Sequence, residues 1–463
     1  MLCAASEKRN QGRKCIRQNR KAPAVVQTLV VYQGRKAFMN RTDPRYQAYV
    51  HILQEELLPA MGCTEPIAVA YAAALARDIL GAVPTKMEVR VSGNILKNVK
   101  SVIVPNTGHM RGIPAAAAAG ALAGDAQKEL EVIASVTKEQ QQEIHSFLES
   151  HPVEVGLADT DQIFYIDVRA IKDSDVGRAV LSGYHTNVVL KEKNGRVLFQ
   201  KDENAAQEES PYNEKDLLSV EGIVDFADSV EIEDIREIVQ RQIDYNLAIA
   251  EEGLKGNYGA NIGSVLLHNY GDDVKIRAKA YAAAGSDARM NGCELPVVIV
   301  SGSGNQGITA SVPVVVYAKE LAVSHDKLLR AVALSDLVTI HQKSGIGRLS
   351  AYCGAISAGC GAGAGIAYLY GGGYREIAHT VVNALAINSG VVCDGAKASC
   401  AAKIASGVDA GILGYWMYRD GNQFRGGDGI VSKGVENTIH NVGRLARDGM
   451  KETDKEIIQI MLG

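Results

Sequence analysis

Aromatic side chains are scarce. They make up 5% of the 463 residues, with one Trp and six Phe. Core bulk must come from elsewhere, and the abundant Ala and Gly argue for closely packed helices with small residues between them. A charge excess is also missing: the formal net charge of −4 does not favour nucleic acid or an anionic membrane as a partner. Closely spaced cysteine pairs are absent. The eight Cys include no C-x2-C, and no His lies near the two clustered pairs, so zinc-site and ferredoxin spacings are excluded. Small-domain disulfide spacing is absent too, which points to reduced thiols in a cytoplasmic enzyme. The longest uncharged stretch, Leu349 to Tyr374, is interrupted by many Gly and holds few Leu, Ile or Val. It reads as a buried helix pair rather than a membrane span.

What is present divides the chain into four parts. Residues 1–38 are a basic extension, expected to be disordered or non-native, with Met39 as the natural beginning and no role for Cys3 or Cys15. Residues 39–84 read as N-terminal helices joining a helical domain. Thr64 and Pro66 start the second of these helices, and Cys63 falls at its N-terminus, where the helix end should lower a thiol pKa. Residues 85–215 read as an α+β unit. KMEVRV and IFYIDVRAI alternate like strands, and Asn194-Gly195 sits in a hairpin signal. PAAAAAGALAGDAQKELEVI reads as helix, and residues 201–215 as a linker. Residues 216–463 read as mostly helical. The fold class is therefore α+β, a mostly helical catalytic domain with a smaller α+β domain inserted after the N-terminal helices.

Two short blocks hold half of the cysteines: Cys353 and Cys360, then Cys393 and Cys400. Asp394-Gly395 is a turn signal, with helix resuming at Ala396 and carrying Cys400 about one turn in. Three thiolates from such blocks would leave one iron of a cluster open, the logic of catalytic metal sites. Cys as a small apolar residue in an Ala/Gly core is the competing reading, and spacing leaves both open. Small polar groups gather in SGNILKN (Ser92 to Asn98), VPNTG, GYHTN and SGSGNQG (Ser301 to Gly307). They suit the carboxylate and amine of an amino acid, or equally local turn hydrogen bonds.

The blocks GCTEP, SGNILKN, VPNTG, GYHTN, SDARMNG, SGSGNQG, HQKSGIGRLSAYCG and CDGAKASCAAKI resemble the L-cysteine desulfidase family, a relative of the iron–sulfur L-serine dehydratases. The resemblance covers about Tyr46 to the C-terminus. It implies a [4Fe–4S] cluster held by Cys353, Cys393 and Cys400, and a catalytic Cys63 acting as a thiolate base. Ser92, Asn94, Asn98, Asn305 and Gln306 would orient the substrate, with Lys343 and Lys397 balancing charge. The implied reaction is α,β-elimination of L-cysteine to hydrogen sulfide, ammonia and pyruvate. An L-serine dehydratase with the same cluster is the first alternative. A pyridoxal-phosphate lyase using Lys343 or Lys397 and a cluster-free amino-acid-binding protein are the others. No nucleic acid or membrane partner is expected, and a homodimer is left open.

Overall fold

A computed structural model describes residues 39–201, 213–347 and 349–462. The basic extension with Cys3 and Cys15, and most of the 201–215 linker, lie outside the described residues. The helices are α1 (Pro44–Glu56), α2 (Thr64–Leu80), α3 (Gly93–Val99), α4 (Gly112–Ala123), α5 (Lys138–Ser150), α6 (Val220–Ser229), α7 (Ile232–Lys255), α8 (Ile262–Tyr270), α9 (Val274–Met290), α10 (Gly304–Glu320), α11 (His325–Ile346), α12 (Gly354–Leu369), α13 (Tyr374–Ile387), α14 (Ser399–Arg419), α15 (Val435–Arg444) and α16 (Lys451–Leu462). The strands are β1 (Pro59–Met61), β2 (Lys86–Val91), β3 (Val153–Leu157), β4 (Tyr165–Lys172), β5 (Asp175–Ser182), β6 (Val188–Lys193), β7 (Arg196–Gln200) and β8 (Pro296–Val298). The α+β class with a mostly helical body is what the structure shows.

The sheet has the order β3-β2-β4-β5-β6-β7, with only β2 and β3 parallel. Its alternation is visible in β2, where Met87, Val89 and Val91 are buried and the residues between them are not. The β6–β7 hairpin turns on Asn194 and Gly195, both at positive φ, as the Asn-Gly pair predicts. The Ala-rich helices α2 and α4 pack together, and α2 covers β4 and β5. The segment 39–84 thus divides: α1 packs on α6 and α7, while α2 lies on the sheet. The helix expected over 114–133 stops earlier. Gly124 ends α4, and a 3-10 turn capped by Asp125 follows.

The helical body is built around α12, and its glycines explain the uncharged stretch. A Cβ on Gly361 would stand 2.4 Å from the Ser335 carbonyl oxygen of α11. One on Gly359 would stand 2.3 Å from the Gly407 backbone of α14, and one on Gly363 2.6 Å from the Gly411 Cα. Two small-xxx-small faces therefore let α12 approach neighbours backbone to backbone on two sides. The α12–α14 crossing is parallel, because Gly359 meets Gly407 and Gly363 meets Gly411. It therefore sets the N-terminal ends of both helices side by side, and those ends carry Cys353 and Cys400.

We expect Gly411→Ala to cost about 1–3 kcal/mol in overpacking, since its Cβ would stand 2.3 Å from the Gly359 carbonyl oxygen. Denaturant unfolding of the variant checks this, and an unchanged midpoint would contradict the crossing.

Candidate functional site

The sulfur-bearing ends are fixed by backbone pairing. Tyr352 bridges Val392 antiparallel, the Cys353 N–H donates to the Val391 carbonyl (3.1 Å), and the Cys393 N–H donates to the Ala351 carbonyl (2.6 Å). In that register Cys353 and Cys393 lie on the same face of the two segments. From Cys393 the chain turns at Gly395, where φ is +92° and an added Cβ would stand 2.5 Å from the Lys97 carbonyl oxygen. Glycine is required there on both counts. α14 begins at Ser399, three residues later than expected, so Cys400 lies in its first turn.

The β1–β8 ribbon supplies the opposite side. β1 runs into Gly62 and Cys63, and β8 runs through Ser301 and Gly302 into α10. The Thr64 hydroxyl donates to the Gly302 carbonyl at 3.0 Å and ties the two ends together. α3 brings a third side. The Asn98 amide donates to a Glu65 carboxylate oxygen at 3.1 Å. The buried Lys97 amine pairs with Asp454 of α16 and donates to the Cys393 carbonyl at 3.5 Å.

These elements enclose a cavity of about 100 Å³. That is well below the roughly 300–1,000 Å³ of sites for drug-sized ligands, and it suits a small metabolite. Cys353, Cys393 and Cys400 all line it, together with Asn94, Asn98, Asn305, Gln306 and Lys343. Ser92 does not. Its hydroxyl donates to the Ile163 carbonyl (2.8 Å) and accepts from the Tyr165 N–H (3.3 Å), which anchors the start of α3 to the sheet. Lys397 is also outside the wall, with its amine on the Asp394 carbonyl at 2.6 Å.

Cys63 departs from expectation. It takes the N-cap position of α2 but makes no side-chain cap hydrogen bond, and its sulfur contacts the Met290 sulfur at 3.7 Å. It does not line the cavity. Burial pushes its thiol up to about 12, outweighing the nearby Arg289 charge that favours thiolate. A lowered pKa was expected from the helix end. Desolvation wins because the side chain is 1% exposed.

Burial likewise pushes Cys353 up to about 12, helped by the neighbouring Cys393 and Cys400 sulfurs. Cys400 is raised by burial and by Cys393. The three sulfurs therefore feel one another. Cys360 does not join them: it is buried within α12, outside the cavity wall, and burial alone raises its thiol. Lys403, bonded to Asp394, holds positive charge beside the group. Burial works against that charge, but Asp394 and the Cys353 and Cys400 sulfurs outweigh it and raise the amine.

Among the described residues, no group of three or more His, Cys, Asp or Glu is placed to hold a metal ion. Cys353, Cys393 and Cys400 nonetheless share one cavity wall. Two further wall residues, His185 and Arg289, belong to the GYHTN and SDARMNG blocks but carried no expected role. An Arg at the end of an Ala-rich helical run was the available signal.

Fold and site together define an α+β protein with a small cavity walled by amides, charged side chains and three thiols. Residues 127–459 match the serine dehydratase alpha chain family, and the chain belongs to that family. It is 61% identical to a UPF0597 protein of Desulfitobacterium hafniense over 92% of this chain and 99% of the relative. It is 52% identical to one from Lachnoclostridium phytofermentans over 90% and 100%, and 47% identical to one from Treponema denticola over 92% and 100%. No helix among the described residues is long and apolar enough to cross a membrane.

Lys97→Met should leave the Asp454 carboxylate without its cation, a change that costs about 3–5 kcal/mol at a buried pair. Hydrogen exchange should accelerate in α16 and in residues 393–398. Unchanged exchange in both would show that Lys97 fixes neither.

Proposed function

We propose that this protein is an iron–sulfur lyase that eliminates hydrogen sulfide from L-cysteine, leaving aminoacrylate, which tautomerises to an imine and hydrolyses to pyruvate and ammonia. One observation carries the reading: Cys353, Cys393 and Cys400 line the same small cavity as Asn94, Asn98, Asn305 and Gln306. The three thiolates would hold a [4Fe–4S] cluster, which when bound supplies an open iron as a Lewis acid toward the leaving group. Lys403 offsets the negative charge that three thiolates bring. The amide side chains hold the amino acid so that its Cα–H and its leaving group are presented in fixed directions.

Two groups compete for the α-proton. Cys63 is the base that the resemblance implies. Burial raises its thiol and favours the protonated form, which weakens it as a base. His185, buried in the wall and edge-on to Phe164 at 4.8 Å, reaches the cavity directly. We therefore assign proton removal to His185. The family description favours a second reading, L-serine as substrate with water as the product, through the same residues.

The proposal is tested with Cys393→Ala, by assaying iron, labile sulfide and pyruvate after anaerobic reconstitution. We expect iron to drop and turnover to vanish, and full activity would end the cluster reading. His185→Gln should lower kcat by about 10²–10⁴-fold while the bound iron stays. If Cys63→Ala instead shows that loss and His185→Gln does not, the base is Cys63.

A further inference from the structure

Arg289 is 3% exposed at the C-terminal end of α9, and it lines the cavity. Its Nε donates to the Gly62 carbonyl at 2.9 Å and one Nη1 hydrogen goes to Asn305 Oδ1 at 3.1 Å. These two bonds fix the plane of the guanidinium. The remaining N–H donors, both on Nη2 among them, have no hydrogen-bond partner among the described residues, and no carboxylate there pairs with the side chain. Space is kept for the group, since a Cβ on Gly304 would stand 2.3 Å from Nε. A guanidinium has five N–H donors in a rigid fork and does not deprotonate, so burial without a counter-ion is costly.

The same wall carries the opposite surplus. Asn94 Oδ1, Asn98 Oδ1 and Gln306 Oε1 are buried acceptor atoms without a hydrogen-bond partner, and all three residues line the cavity. Such atoms are rare in folded proteins, and each one asks for a donor. Spare forked donors and three spare acceptors in one small cavity match the two ends of an α-amino acid zwitterion. A carboxylate takes two parallel N–H bonds, and an ammonium offers three N–H.

We infer that Arg289 anchors the substrate carboxylate, while the Asn94, Asn98 and Gln306 side-chain oxygens receive the ammonium. This rests on the elimination reading and deepens it. The site then selects free α-amino acids, and the side chain is left to point at the three sulfurs. Arg289 is the specificity-determining residue for the carboxylate, and Asn305 and Gly62 position it.

The test is calorimetric binding of L-alanine, which has no leaving group, against L-alaninamide and N-acetyl-L-alanine. All protein is reconstituted with its cluster, and the wild type is measured first. Charged hydrogen bonds contribute about 1.5–3 kcal/mol, so L-alanine should bind about 10- to 150-fold more tightly than L-alaninamide. N-acetyl-L-alanine should be weakened as well. Equal binding of L-alanine and its amide overturns the role of Arg289 without any variant. Arg289→Gln should erase the preference for the free acid and raise KM for the eliminated substrate more than it lowers kcat. Arg289→Lys should restore part of the preference. A folded Arg289→Gln protein that keeps the wild-type preference also overturns the assignment. If wild-type protein turns over L-cysteine or L-serine but shows no carboxylate preference, only Arg289 fails. If it binds and turns over no amino acid, the elimination reading fails and this inference with it.

Discussion

The parallel crossing of α12 on α14 is the constraint on which the rest depends. Glycines at 359, 363, 407 and 411 remove side chains from the contact, so the two backbones touch. Small-residue contacts of this kind fix register tightly, because sliding by one residue would drive a Cβ into a carbonyl. The register places the start of α12 beside the start of α14. Cys353 and Cys400 are therefore neighbours in space although 46 residues separate them in sequence. The short antiparallel pairing of residues 351–353 with 391–393 adds Cys393 to the same place.

The helical body alone does not close the cavity. α3 comes from the sheet side of the chain, and it reaches the cysteine loop through Gly395 and Lys97. The β1–β8 ribbon ties the GCTEP and SGSGNQG blocks together, so Arg289, Gly62 and Asn305 meet across it. The sulfurs are presented by the glycine-packed helices, and the amide and guanidinium groups by the loops facing them. A small amino acid held by its charged ends against the second wall would direct its side chain toward the first. The proposed chemistry needs that arrangement.

Local signals in the sequence were legible where one interaction decides the outcome. Asn194-Gly195 makes its turn, and the stretch read as mostly helical includes the long helix α7. The signals failed where tertiary contacts compete. SGNILKN was read only as a gathering of small polar groups, yet it forms α3, whose start Ser92 ties to Ile163 and Tyr165 across the sheet. The stretch read as mostly helical hides a break at Leu445–Gly449, where the ladder switches to π spacing. A helix N-terminus suggested a low pKa for Cys63, but burial depends on long-range packing that no local pattern reports. Arg289 and His185 sat inside quoted blocks without a role, because their meaning comes from which walls meet. The Gly-rich stretch was expected to form a helix pair, but it forms the single helix α12, whose glycine-packed partner α14 lies further along the chain.

The central claim is that this crossing assembles three sulfurs around one cavity to grip iron. Anomalous diffraction at the iron edge, on crystals of anaerobically prepared protein, tests it most directly. The account predicts a compact group of iron atoms bounded by the Cys353, Cys393 and Cys400 sulfurs, with Cys360 making no contact. Iron at Cys360 or at any site away from that cavity, or a well-ordered iron-free cavity in fully active crystals, would contradict it.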